Sequence, residues 1–230
     1  MKISEFAAPV STQLTNFEAE FEGQLYSNVP LADLVVHYVA GKKGKRLRPL
    51  IVFLAAKLHG DLVQKTMDAA VVVEMFHTAT LVHDDVVDES HLRRGSPTVN
   101  DVWDNKISIL VGDFLFSKTL TSIVKLRNNQ ALEILSDAAE EITEGELLQI
   151  AYSRETELSE DQYFKLIAKK TAALFSASCQ LGALTTGGDD TAVQRMYDFG
   201  YHFGIAFQIA DDLLDYIGNE ATLGKPTGND

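Results

Sequence analysis

Two apolar stretches of the chain each carry three aspartates at one spacing. The first is Leu81-Val82-His83-Asp84-Asp85-Val86-Val87-Asp88, and the second is Phe207-Gln208-Ile209-Ala210-Asp211-Asp212-Leu213-Leu214-Asp215. Residues i and i+4 of a helix lie one above the other on one face. A helix therefore aims Asp84 and Asp88 at one spot, with Asp85 at its edge. Like charges gathered in this way are unfavourable unless a cation or strong donors sit among them. Hard oxygen ligands on a rigid element suit Mg²⁺, which keeps part of its water shell and bridges to substrate phosphates. A solvated helix face is the ordinary explanation of one acidic triplet. Leu-Val before the first, Val-Val within it, and a second copy downstream argue against that explanation. Two such helices facing each other predict an acidic mouth that binds metal.

The rest of the chain fits a helical frame. Apolar residues recur at helical spacing over most of its length, and strand signals are scarce. A first amphipathic helix is predicted near Thr12 to Leu25, with Leu14, Phe17, Phe21 and Leu25 on one face. A second starts at Pro30 and breaks at Gly41-Lys42-Lys43-Gly44-Lys45. Pro49 is tolerated in the first turn of a third, which ends by Gly60. A long apolar helix follows from Val63 to Asp88, then a loop from Glu89 to Pro97. Further helices are predicted over Val102–Leu126, Gln130–Tyr152, Ser159–Leu184 and Thr191–Ile217. Asp189-Asp190 follows two glycines and reads as a helix N-cap. The expected fold is all-α: one domain over residues 1–230, an antiparallel helical bundle around a central cavity.

Composition narrows the function. A formal net charge of −13 argues against a general nucleic-acid binder. The single cysteine, Cys179, forms no intrachain disulfide, fits a reducing cytoplasmic setting and reads as a small buried helix residue. The N-terminus has no secretory apolar core, and no uninterrupted apolar run suggests a membrane span.

Because cations are few, their placement is informative. Gly44-Lys45-Arg46-Leu47-Arg48-Pro49 lies at a loop–helix junction, and Arg93-Arg94 follows the first aspartate motif. Lys169-Lys170-Thr171 interrupts an apolar helix pattern, and Lys225 follows the second motif. Cations and helix-start N–H groups beside metal-type carboxylates describe a diphosphate substrate, and several separate clusters suggest more than one diphosphate. His77 lies two turns before Asp84 on the same face; a packed core histidine and a phosphate donor are both open. Ala79 and Thr80 sit about one turn deeper than Asp84, with Met75 and Phe76 below them. Small residues under the metals leave room for a long apolar chain, although close packing also explains them.

Taken together, Gly44–Pro49, the paired Asp-Asp-x-x-Asp motifs, Arg93-Arg94-Gly95, Lys170-Thr171 and Gly204-Ile205-Ala206-Phe207-Gln208-Ile209 resemble the trans-type isoprenyl diphosphate synthases, or polyprenyl synthetases. The resemblance runs from about residue 30 to the last residue. It implies a homodimer of the isoprenoid-synthase fold and head-to-tail condensation of isopentenyl diphosphate onto an allylic diphosphate. In that reaction Mg²⁺ and cations stabilise the departing diphosphate, and a water-poor cavity protects the carbocation. By resemblance, Asp84, Asp88 and Asp211 are the main Mg²⁺ ligands, with Asp85, Asp212 and Asp215 in support. Lys45, Arg48, His77 and Arg94 are similar to the isopentenyl diphosphate site. Arg93, Lys170, Thr171, Gln208 and Lys225 are similar to the allylic site. A small residue at Ala79 goes with medium or long products in this family. The family continues beyond Asp230 with another lysine and further helices, so the resemblance implies weak allylic binding and low turnover for the chain as given. A non-catalytic subunit of a heteromeric synthase is expected to have lost aspartates. A terpene cyclase is expected to carry a different second motif, and a Ca²⁺-binding loop needs a central glycine.

Overall fold

A computed structural model describes residues 3–42, 44–93, 95–155 and 157–217. These residues form two compact units: Met1–Leu54 with Val63–Arg127, and Ala55–Leu62 with Asn128–Asp230. The sequence-predicted Arg94 and Lys225 lie outside the described residues.

The first unit begins with α1 (Ile3–Ala7), a 3₁₀ turn (Ala8–Val10) and α2 (Ser11–Gln24). Helix α2 buries Phe17 and Phe21, which stack at 5.6 Å, while Phe53 meets Phe17 edge-on at 6.5 Å. Pro30 starts α3 (Pro30–Gly41), where its missing N–H costs nothing. Helix α4 (Leu47–His59) follows the Gly44–Arg46 loop. The long α5 (Gln64–Val87) is buried on every side from Ala69 to Phe76, as expected of a core helix.

Three boundaries differ from the sequence reading. The expected loop after the first motif contains an antiparallel pair, β1 (Leu92–Arg93) and β2 (Ser96–Pro97), with Arg93 opposite Ser96. Gly95 turns this hairpin at φ 73°, a conformation open to glycine without penalty. The predicted Val102–Leu126 helix is α6 (Val99–Val102) and α7 (Asn105–Lys125), separated because the Asp104 side chain caps α7 by accepting the Ile107 N–H at 2.8 Å. Asp88 is the C-cap of α5 and not a helical residue.

Helix α7 is long and apolar enough by composition to cross a membrane, a test that the core helix of a globular protein also passes. Part of its length is instead seated on α5: the Ser108 hydroxyl donates to the Val82 carbonyl at 3.2 Å, and Gly112 abuts His83.

The second unit contains α8 (Asn129–Tyr152), α9 (Glu160–Ile167), a π-helical turn (Ala168–Ala172), α10 (Ala173–Thr185) and α11 (Asp190–Ile217). Asn128 caps α8, and Ser159 with Gln162 forms a capping box at α9. Asp189 accepts the Ala192 N–H at 2.8 Å, which bears out its structural role. Helix α10 is buried from Leu174 to Cys179. Burial pushes the Cys179 thiol up to about 12. The native chain is therefore expected to resist a thiol-specific reagent at pH 8 and to react at once in denaturant; rapid native labelling would overturn this. The sign for stability follows: between the ordinary thiol value and about pH 12 the folded state keeps a proton that the unfolded state releases, so this group lowers stability as pH rises.

Candidate active site

In the first unit, Asp84, Asp85 and Asp88 occupy the last turn and C-cap of α5, where the Asp88 N–H bonds the Asp84 carbonyl at 2.8 Å. This is the negative end of the helix dipole, so three carboxylates there are unfavourable without a cation. Their environments differ. Asp85 is 4% exposed, whereas Asp84 is half-buried and Asp88 is exposed. Arg93 Nε donates to Asp85 Oδ1 at 2.5 Å. Burial pushes the Asp85 carboxyl above its usual range, and the Arg93 guanidinium pulls the other way. The hairpin that carries Arg93 is anchored by α3: the Tyr38 hydroxyl donates to the Pro97 carbonyl at 2.9 Å, and Lys42 donates to the same oxygen.

The Gly-Lys-Arg-Leu-Arg-Pro stretch divides its cations between two tasks. Arg46 has a left-handed backbone, φ 49°. Its side chain turns inward, donating to Glu18 through Nε (3.0 Å) and Nη2 (3.2 Å) and to buried Glu74 through Nη1 (2.7 Å). Its guanidinium also lies 4.8 Å from the Phe21 ring centre. Arg46 is a structural ion. Arg48 points elsewhere, with Nη1 2.9 Å from His77 Nε2. A guanidinium has only donors, so Nε2 accepts and Nδ1 carries the ring proton. The structure thus joins two residues that the sequence assigned to one diphosphate, and it leaves Lys45 exposed. Between these groups lies a cavity of about 50 Å³ lined by Lys42, Arg46, His77, Leu81, Asp85 and Arg93. It can hold a few waters. Met75, Phe76, Ala79 and Thr80 do not line it; Met75, Phe76 and Ala79 are buried, with Phe76 5.7 Å from the Phe116 ring.

In the second unit, Asp211, Asp212 and Asp215 lie near the end of α11. Asp211 is exposed and Asp215 is 5% exposed. Asp212 is held at both oxygens: the Tyr163 hydroxyl donates to Oδ2 and Gln208 Nε2 donates to Oδ1, each at 2.6 Å. The Thr171 hydroxyl donates to Gln208 Oε1 at 2.6 Å. Burial, then the bond to Asp212 and its charge, raise the Tyr163 phenol to about 12, so it remains a donor at neutral pH.

The π turn explains how Thr171 reaches this chain. One extra residue in a turn rotates all that follows by about 100°. Thr171, eight residues after Tyr163, therefore shares its α11 side. Both lysines face α8 instead. Lys169 Nζ donates to Glu141 (2.5 Å) and Glu144 (2.6 Å), while Lys170 donates to Gln149 and lies 3.0 Å from Glu146. A Cβ on Gly145 would lie 2.8 Å from Lys170 Cγ, and one on Gly204 would lie 2.4 Å from Ala172 Cα. The turn is seated between two close backbone approaches that only glycine allows.

Among the described residues, no three His, Cys, Asp or Glu side chains form a ready-made metal cage. Mg²⁺ does not require one, since it is commonly held by one or two carboxylates plus substrate phosphate. Paired carboxylates at an adverse helix terminus fit that ion.

Sequence reasoning missed Tyr163, Glu74, Glu146 and Gln149. Tyr163 carries no motif signal, because its alignment with Thr171 depends on the π turn.

Comparison with known proteins identifies the family. Residues 29–230 match the polyprenyl synthetase family. The chain is 39% identical over 231 residues to heptaprenyl diphosphate synthase component 2 of Geobacillus stearothermophilus, covering 100% of this chain and 72% of that protein. It is 38% identical over 229 residues to octaprenyl diphosphate synthase of Escherichia coli (strain K12), covering 100% and 70%. Among solved structures, a polyprenyl synthase from Caulobacter crescentus CB15, complexed with calcium and isoprenyl diphosphate, has a TM-score of 0.94 at 38% identity, covering 100% of this chain and 70% of that one. A decaprenyl diphosphate synthase from Rhodobacter capsulatus has a TM-score of 0.91 at 42% identity, covering 98% and 70%. With its aspartate triplets, its Arg48–His77 pair and a match over nearly its whole length, the chain belongs to the polyprenyl synthetase family.

Proposed function

We propose that this chain is a trans-prenyltransferase that condenses isopentenyl diphosphate head-to-tail onto an allylic diphosphate, giving a medium- or long-chain polyprenyl diphosphate. The observation that carries the reading is the pair of aspartate triplets, each near the end of a long helix and each with one carboxylate fixed by neighbouring donors. Similarity to heptaprenyl and octaprenyl diphosphate synthases supports the product class.

In this reading Asp84, Asp88, Asp211 and Asp215 present oxygens to Mg²⁺. When bound, Mg²⁺ offsets the charge that develops on the allylic diphosphate as its C–O bond breaks. By resemblance Arg93, Lys170 and Lys225 add positive charge at that leaving group, Lys170 having first to leave Glu146 and Gln149 on α8, and Thr171 and Gln208 orient it. Lys45, Arg48, His77 and Arg94 hold the diphosphate of isopentenyl diphosphate, whose double bond forms the new C–C bond. The proton then lost goes to the released diphosphate. We further infer a cytoplasmic homodimer. The free, buried Cys179 fits a reducing compartment. Ile109, Leu110, Leu120 and Val124 on α7 are exposed apolar side chains that a second copy would cover.

The test is diphosphate release from isopentenyl diphosphate plus geranyl or farnesyl diphosphate, with products sized by mass spectrometry. Release must require both substrates and stop when EDTA removes the metal. Release from the allylic substrate alone would instead indicate cyclase chemistry. Ala79, 1% exposed on α5, supplies a second prediction. Ala79→Phe puts a ring into packed core one turn from Asp84 and is expected to shorten the product by at least one isoprene unit, at a stability cost of about 1–3 kcal/mol. An unchanged product ladder would sink the assignment of chain length to this position.

A further inference from the structure

The second aspartate motif is held by a residue that lies outside every motif. Tyr163 projects from α9, its hydroxyl 2.6 Å from Asp212 Oδ2. Gln208, one turn before Asp212 on α11, donates to the other oxygen at 2.6 Å and accepts from Thr171 at 2.6 Å. Three short bonds therefore run from α9 through α11 to the π turn. Both Asp212 oxygens point at neutral donors, while neighbouring Asp211 is exposed. A carboxylate held in this way is poorly placed to turn one of its oxygens to a cation, but it fixes the helix turn that bears it.

We propose that Tyr163 is a positioning residue: with Gln208 it pins Asp212, so that Asp212 sets the orientation of Asp211 and Asp215 and does not itself take the metal. This rests on the prenyltransferase reading above, since it assigns roles within that site. The bond chain makes a further demand. If Asp212 only accepts hydrogen bonds, an amide can replace it by reversing the chain. In Asp212→Asn the new amide oxygen accepts from Tyr163 and its NH₂ donates to Gln208 Oε1. The Gln208 amide flips to allow this, and the Thr171 hydroxyl then accepts from Gln208 Nε2. Asp212→Leu has no such rearrangement.

The experiment measures Mn²⁺ binding by electron paramagnetic resonance in the presence of a non-ionisable allylic thiolodiphosphate, together with kcat and KM for both substrates. It uses the full chain, with Tyr216→Phe, an exposed phenol, as control. Tyr163→Phe is expected to weaken Mn²⁺ binding and lower kcat by about 10-fold, with KM for isopentenyl diphosphate unchanged. Asp212→Asn should stay within about 10-fold of wild type, while Asp212→Leu and Asp211→Asn fall by about 100-fold. Tyr163→Phe equal to wild type, or Asp212→Asn as damaging as Asp211→Asn, overturns the proposal while leaving the prenyltransferase reading intact. A wild-type chain that binds no Mn²⁺ with the probe overturns that reading, and this one with it. If Tyr163→Phe fails to fold, the Asp212→Asn and Asp212→Leu comparison decides alone.

Discussion

Asp84→Asn is expected to lower kcat/KM for condensation by about 10³-fold, about 4 kcal/mol of transition-state stabilisation. The effect follows from its placement. Asp84 lies in the last turn of α5, where the helix dipole disfavours negative charge and Asp85 and Asp88 add repulsion. Its replacement by an amide removes a charged oxygen proposed to meet Mg²⁺. Asp85→Asn should behave differently. Asp85 is buried against Arg93, so its loss frees a guanidinium and hurts activity by disordering the hairpin. The check is steady-state kinetics beside thermal melts in EDTA. An Asp84→Asn variant that folds and keeps activity within 10-fold contradicts the account.

Arg46→Met is expected to be among the most destabilising substitutions in the chain, at about 3–5 kcal/mol. The cost comes less from the lost attraction than from the carboxylate left behind. The Glu74 side chain is only 5% exposed, whereas Glu18, at 25%, re-solvates more readily. Replacing both buried partners tests this. Arg46→Met with Glu74→Leu should recover most of the loss, since well-packed apolar substitutes for a buried ion pair are often neutral or better. Urea unfolding reads the result: the single variant should lower the midpoint by more than about 1 M. A loss below 1 kcal/mol, or a double variant no better than the single, would show that the network is not what holds α2 to α5.

The helical frame was legible because its signals are local and periodic. Phe17, Phe21 and Leu25 at helical spacing marked one buried face, and Asp189 after two glycines marked a cap. The aspartate motifs were legible for the same reason. Two things were not. Arg46 and Arg48 look alike in sequence, and only the fold shows that the left-handed backbone at Arg46 sends its side chain toward Glu18 and Glu74. The π turn was hidden because Ala-Lys-Lys-Thr-Ala reads as ordinary helix; what enforces it is close approach at Gly145 and Gly204, from helices distant in sequence.

That turn has a consequence for how the site can vary. It acts as a phase shift of one residue between two halves of a single rod. The lysines keep company with α8 and the threonine with α11, although they are sequence neighbours. Charge along α8 can therefore drift without disturbing the hydrogen-bonded file beside the second aspartate motif. The tuning of cations and the aiming of carboxylates become separable traits within three consecutive residues.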